Sequence, residues 1–253
     1  DPIDQVGIAA CHSIFNIFTT ALIFPFQKHL VTFAEKAIKD SGKAEKQEVT
    51  FIDERLLKTP SVALSECHHR TVEMAKLSKT TVLNAVQLLN KFDNKLYDQV
   101  IEEEDLLDRY EDKLGTYLVK LSSSALSMSD SKEISTLLHT IGDFERLGDH
   151  AVNLLKTAKE ITDKEIVFSD DAGKEIDTLT DAIQNILTIT VDSFTSGDLE
   201  HAIDVEPLEQ VIDELITTIK ANHIRRLQHG NCTIELGFVL SDLLTNYARI
   251  SDH

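Results

Sequence analysis

Apolar residues recur along most of this chain at intervals of three and four. In Asp143–Lys156, DFERLGDHAVNLLK, the residues Phe144, Leu147, Ala151 and Leu154 fall on one stripe, the period of an amphipathic helix. The same spacing returns between breaks that read as helix caps. Thr59-Pro60 sets a cap before a first-turn proline and opens a helix to about Asn94, and a second continues to the serine-rich SSSALSMS. Asp130, with Glu133 three residues on, reads as a capping box for the helix holding DFERLGDH, because each side chain can close a free amide of the other's turn. Ser169, Asp198 and the Gly230-Asn231 break delimit three more. The hairpin dipeptides Asn-Gly and Asp-Gly are absent, and 253 residues hold only 4 Pro and 9 Gly, so strands have little to start or turn them. The expected fold is all-α, with two tandem antiparallel three-helix bundles over residues 60–163 and 164–253, since short loops make successive helices antiparallel.

The first residues differ in kind. Val6 to Phe26 runs 21 residues without a formal charge and with apolar residues all round the helix, long enough at about 1.5 Å per residue to cross a bilayer core of about 30 Å. This segment is expected to be the last transmembrane helix, spanning 6–26, of a membrane domain ending near residue 33, with a juxtamembrane linker over 34–59. His12, Asn16, Thr19 and Thr20 would face other helices rather than lipid. Lysines follow the run and two aspartates precede it. The positive-inside rule therefore places residues after about 27 in the cytoplasm and the run in the inner (plasma) membrane. There is no basic lead-in or small-residue cleavage site for a secretory signal. The chain lacks an initial Met and stops within a helical pattern, so it reads as a fragment whose first partner is an upstream transmembrane domain of the same protein.

Two motifs repeat. Tyr247–His253, YARISDH, lies over Phe144–His150, FERLGDH, and Glu209–Leu215, EQVIDEL, over Glu104–Tyr110, EDLLDRY. The intervals are 103 and 105 residues, so two motifs in the same order at nearly one interval indicate an internal duplication. In three of these four stretches acids stand four apart, on one helix face, where like charges destabilise. Four such carboxylates, Glu104, Asp108, Glu145 and Asp149, could not all stay ionised near one another without a counter-charge. All-oxygen ligands favour hard cations.

The net charge is −18, and residues 1–46 hold five acids and five lysines, so the whole excess falls on residues 47–253. Such a surface repels phosphate backbones, which argues against a nucleic-acid partner. Cys11, Cys67 and Cys232 are odd in number and lack Cys-x-x-Cys spacing, the pattern of free thiols rather than of a disulfide framework or a thiolate zinc site.

The duplicated motif, with ERLGDHA its most recognisable stretch, resembles the PhoU domain. FIDERLLKTPSVAL together with HSIFNIFTTALIFPF resembles the junction between transporter and PhoU-like domain in bacterial sodium/phosphate cotransporter-related proteins. The Gln-Ser-Ser-Ser signature of that family's transport core is absent from the chain. The resemblance implies a cytoplasmic regulatory domain with no enzymatic activity, linked to sodium-coupled phosphate transport and compatible with a homo-oligomer. It also implies clusters of divalent or trivalent metal ions (Mg, Mn or Fe) on Glu104, Asp108, Glu145 and Asp149, and on Glu209, Asp213 and Asp252 in the second repeat. Arg146 and Arg249 would orient acids, and His139 and His150 would be outer ligands. Repeat two departs from the pattern, because Ala248 stands where repeat one has Glu145; His253, Asp242 or water would have to fill that place. Two other classes compete. One is a helical scaffold that binds a partner protein through its acidic face. The other is a carboxylate-bridged di-iron protein, which needs Glu-x-x-His on two helices and finds a single candidate in Glu66 and His69.

Overall fold

The computed structural model describes residues 5–23, 52–124 and 126–253, and every regular element among them is helical. It divides into two compact units, 1–49 and 50–253.

In the first unit, helix α1 covers Gln5–Ile23. Ile14, Phe15, Ile17, Phe18 and Leu22 are all exposed. Among the described residues no helix is long and apolar enough to cross a membrane. The expected span over 6–26 therefore finds no support in α1. The described helix covers 19 residues, in which His12, Asn16, Thr19 and Thr20 interrupt the apolar run. The end of that expected span, its lysine flank and most of the linker fall on residues 24–51, outside the described residues.

The second unit opens with a 3-10 turn, Glu54–Lys58, capped by the Asp53 carboxylate, which accepts from the Arg55 amide at 2.9 Å. Helix α2, Pro60–Asn90, begins on its proline as expected, but the Thr59 hydroxyl donates back to the Leu56 carbonyl instead of capping. Helix α3, Asn94–Ser122, is capped by Asp93. Helix α4, Met128–Asp163, has its cap three residues before the expected Asp130. Ser127 is its cap, and Asp130 closes the box as the third helical residue. Helix α5, Asp170–Ser196, is capped by Ser169 and ends on Gly197 at φ 71°, a left-handed turn that suits a residue without Cβ. Asp198 caps only the four-residue α6, Leu199–Ala202. The long α7, Val205–Gln228, follows, and α8, Ile234–Asp252, is capped by Thr233.

These helices form two groups. α2, α3 and α4 pack on one another, as do α5, α7 and α8. The predicted stripe of α4 is buried: Phe144, Leu147, Ala151 and Leu154 are all at most 6% exposed. Each such large apolar side chain contributes about 1.5–3 kcal/mol by leaving water. The groups meet through equivalent helices, α2 on α5 and α4 on α8, and Phe144 of α4 meets Phe194 of α5 edge to face at 5.4 Å. One apolar cluster runs through both, from Met74 and Leu107 in the first group to Ile183 and Tyr247 in the second.

Candidate functional site

The acid pairs sit where α3 and α4 cross. A helix repeats about every 3.6 residues, so Glu104 and Asp108 project from one face of α3, and Glu145 and Asp149 from one face of α4. Gly148 lets the two faces approach. A Cβ there would stand 2.8 Å from Leu107 Cδ1 and 3.6 Å from Glu104 Cγ, and Leu107 is fully buried. The glycine between two acids is thus what closes the crossing.

The charges respond to that closeness. Burial first, then Asp108, Asp105, Asp149 and Glu145, raises the Glu104 carboxyl above its ordinary range. Asp108 is raised by loss of water and then by Asp149 and Asp105. Glu145 is raised by burial, Asp149, Asp108 and Glu111, with Arg146 opposing. The structure therefore brings together all four residues expected in repeat one. Arg146 lies 3.8 Å from Asp143 instead of bonding to the cluster. Among the described residues no ion pair neutralises any of the four.

Repeat two is a thinner version. Glu209 is raised by burial, then by Asp213, Asp252 and Glu206, so the three expected carboxylates also meet. Arg249 stands 3.4 Å from Asp252. Ala248 lines an open cleft of about 560 Å³ with Asp213, Ile216, Thr217 and Lys220. Lys220 occupies the place of Gly115 in repeat one at the 105-residue interval. Asp242 is exposed on α8, as is His139 on α4. Ser251 replaces Gly148, and its hydroxyl is buried without a hydrogen-bond partner.

The motif histidines do something the sequence did not announce. His150 and His253 stack on each other at 5.7 Å, with rings 20° apart. His150 Nδ1–H donates to Asn246 Oδ1 at 3.1 Å, and His253 Nδ1 lies 3.7 Å from Asp143 Oδ1. Asn246 and Asp143 are themselves equivalent at the 103-residue interval. Each repeat's motif histidine therefore reaches the same position of the other repeat's motif helix. Only their matched place in the two motifs, never a local pattern, could have pointed to this pairing.

The donor set of repeat one fits a hard cation in its chemistry: all oxygen, excess negative charge and, among the described residues, no ion pair. As placed, however, no group of three or more His, Cys, Asp or Glu among the described residues stands close enough to hold an ion.

Comparison with known proteins defines the class. The family model described as PhoU domain matches residues 71–158 and 176–253, one match for each helical group. The chain belongs to the PhoU domain family. It is 22% identical over 185 residues to a phosphate-specific transport system accessory protein PhoU homolog of Thermotoga maritima, covering 72% of this chain and 78% of that one. It is 21% identical over 252 residues to the putative inorganic phosphate export protein YjbB of Escherichia coli, covering 95% of this chain but 45% of the relative's length. The crystal structure of PhoU from Pseudomonas aeruginosa superposes with a TM-score of 0.70 at 22% identity, over 76% of this chain and 92% of that one; at that identity the likeness concerns the fold.

Proposed function

We propose that the unit from Thr50 to His253 is a regulatory domain for phosphate movement across a membrane, and that it senses or gates rather than catalyses. In this reading Glu104, Asp108, Glu145 and Asp149 hold a divalent or trivalent cation such as Mg, Mn or Fe, with a second, weaker place on Glu209, Asp213 and Asp252. The bound cation would supply the positive charge that lets these carboxylates ionise side by side. The observation that carries the proposal is the meeting of four carboxylates at the α3–α4 crossing with no ion pair among the described residues, three of them raised by burial and by their acidic neighbours. The phosphate link is supported by the relatives' names, an accessory protein of phosphate transport and a phosphate export protein. Those names speak of phosphate and not of sodium coupling, so phosphate transport is the level at which we propose the link. The export protein aligns over nearly the whole chain and is more than twice as long as the aligned part. This supports, together with the lysine flank, attachment to an inner-membrane domain with residues after about 27 on the cytoplasmic side.

The test is metal content. Asp108→Asn with Asp149→Asn keeps shape and removes half of the repeat-one charge. After loading with Mn and desalting, elemental analysis should show a clear loss relative to the parent. Equal content in both would return the acids to a solvated face suited to docking a partner protein.

A further inference from the structure

At the far side of repeat two, away from the acid clusters, α7 and α8 leave a cavity of about 270 Å³. Its lining includes Phe168, His223, Arg226, Asn231, Cys232 and Leu236. Cys232 lies in the turn before α8, half-buried, with Sγ 3.5 Å from His223 Nδ1. His223 is held from both sides. Its Nε2 is buried without a hydrogen-bond partner, and a Cβ on Gly237 would come within 2.7 Å of it, so the ring is wedged against the first turn of α8. Arg226, one turn along α7 from His223, is held by a two-pronged bond to Glu175 of α5. The pair thus has a fixed ring, a thiol shared between its Nδ1 at 3.5 Å and the Thr233 carbonyl at 3.6 Å, and a cavity that both residues line.

We propose that Cys232 is a site of thiol–disulfide exchange with small-molecule disulfides, with His223 as the positioned base. The Cys232 proton passes to His223 Nδ1, and the thiolate attacks one sulfur of the disulfide. That S–S bond breaks as the Cys232 mixed disulfide forms, and the departing thiolate takes up a proton. No other oxidant is required, because the incoming disulfide is itself the two-electron acceptor. Burial and the neighbouring Arg226 hold the His223 imidazole below its ordinary range, so it is neutral and able to accept a proton near pH 7. The charged groups facing it are Arg226 on its own helix and, through Arg226, Glu175 on α5; from the turn and α8 it meets the Cys232 thiol and the uncharged Gly237. Cys67 supplies the internal contrast. It is fully buried in α2, and burial pushes its thiol up to about 12.

The experiment treats the whole chain, with Cys11→Ser to remove the third thiol, with oxidised glutathione across pH 6–9 and follows adducts by intact mass and peptide mapping. One glutathione should add at Cys232 and none at Cys67. His223→Gln should slow the reaction roughly tenfold or more at pH 7, and the gap between parent and variant should close toward pH 9, where hydroxide alone ionises thiols. If the variant misfolds by circular dichroism, the site of the adduct in the parent at pH 7, Cys232 or none, alone decides. A folded His223→Gln variant that reacts as fast at pH 7, or no adduct at Cys232, would each overturn the proposal.

Discussion

At the scale of single residues, Gly148 and Ser251 occupy one position of the duplicated motif with opposite consequences. Gly148→Ala would gain about 1 kcal/mol of helix propensity, but its Cβ meets the immobile Leu107, and overpacking of this kind costs about 1–3 kcal/mol. We expect a net loss, read as a lower urea midpoint. Ser251→Ala removes a buried hydroxyl without a partner and should be neutral or gain up to about 1 kcal/mol in the same assay. Glu104 gives a prediction with pH. Its carboxyl is raised in the folded chain, so the native state binds more protons than the unfolded chain from the ordinary carboxylate range up to the raised value. Stability falls as pH rises through that window and stays reduced above it. Glu104→Gln, which resembles the protonated form, should match the parent near pH 4 and exceed it at pH 7.5 in metal-free buffer. Asp53 and Asp93 are lowered and contribute with the opposite sign, but they cancel between variant and parent. Equal urea midpoints at pH 7.5 would refute the prediction.

At the scale of elements, the sequence revealed most of what local chemistry decides. Pro60, Ser169 and the Gly230-Asn231 break mark real helix ends because proline, a capping hydroxyl and a left-handed glycine act on their own turns. Asp130 is the third helical residue and not the cap, because the preceding serines offer several hydroxyls and the choice of Ser127 depends on where α4 packs. Asp198 reads in sequence as the opening of a long helix, whereas the chain makes one short turn at Leu199–Ala202 before Val205. The acid pairs were legible from spacing of four, but their meeting across α3 and α4 hangs on Gly148, which resembles any small helix residue. The pairing of Cys232 with His223 was illegible for a related reason: the residues lie nine apart across a turn whose closure only the fold sets. The missing acid at Ala248 was visible and carries a prediction. Its position opens on the cleft beside Asp213, so Ala248→Glu should raise the weaker class of site when Mn is titrated into the apo protein. Two equal classes, unchanged by Ala248→Glu, would remove the asymmetry between the repeats.

At the scale of the whole second unit, the two helical groups share one core and meet through equivalent helices, with His150 and His253 stacked at the α4–α8 seam. The bond from His150 to Asn246 should contribute about 0.5–1.5 kcal/mol. A double-mutant cycle of His150→Ala and Asn246→Ala should therefore show coupling in urea denaturation, and strict additivity would show that the contact is incidental. The stacked pair also has a thermodynamic corollary. Each histidine directly follows an aspartate of its own acid cluster, so the seam ties one cluster's motif helix to the other's. Any free energy that filling the first cluster transmits across this seam must return in equal measure when the second is filled first. The duplicated halves would then behave as a reciprocal pair, each setting the other's threshold, even though their side chains make one the stronger partner.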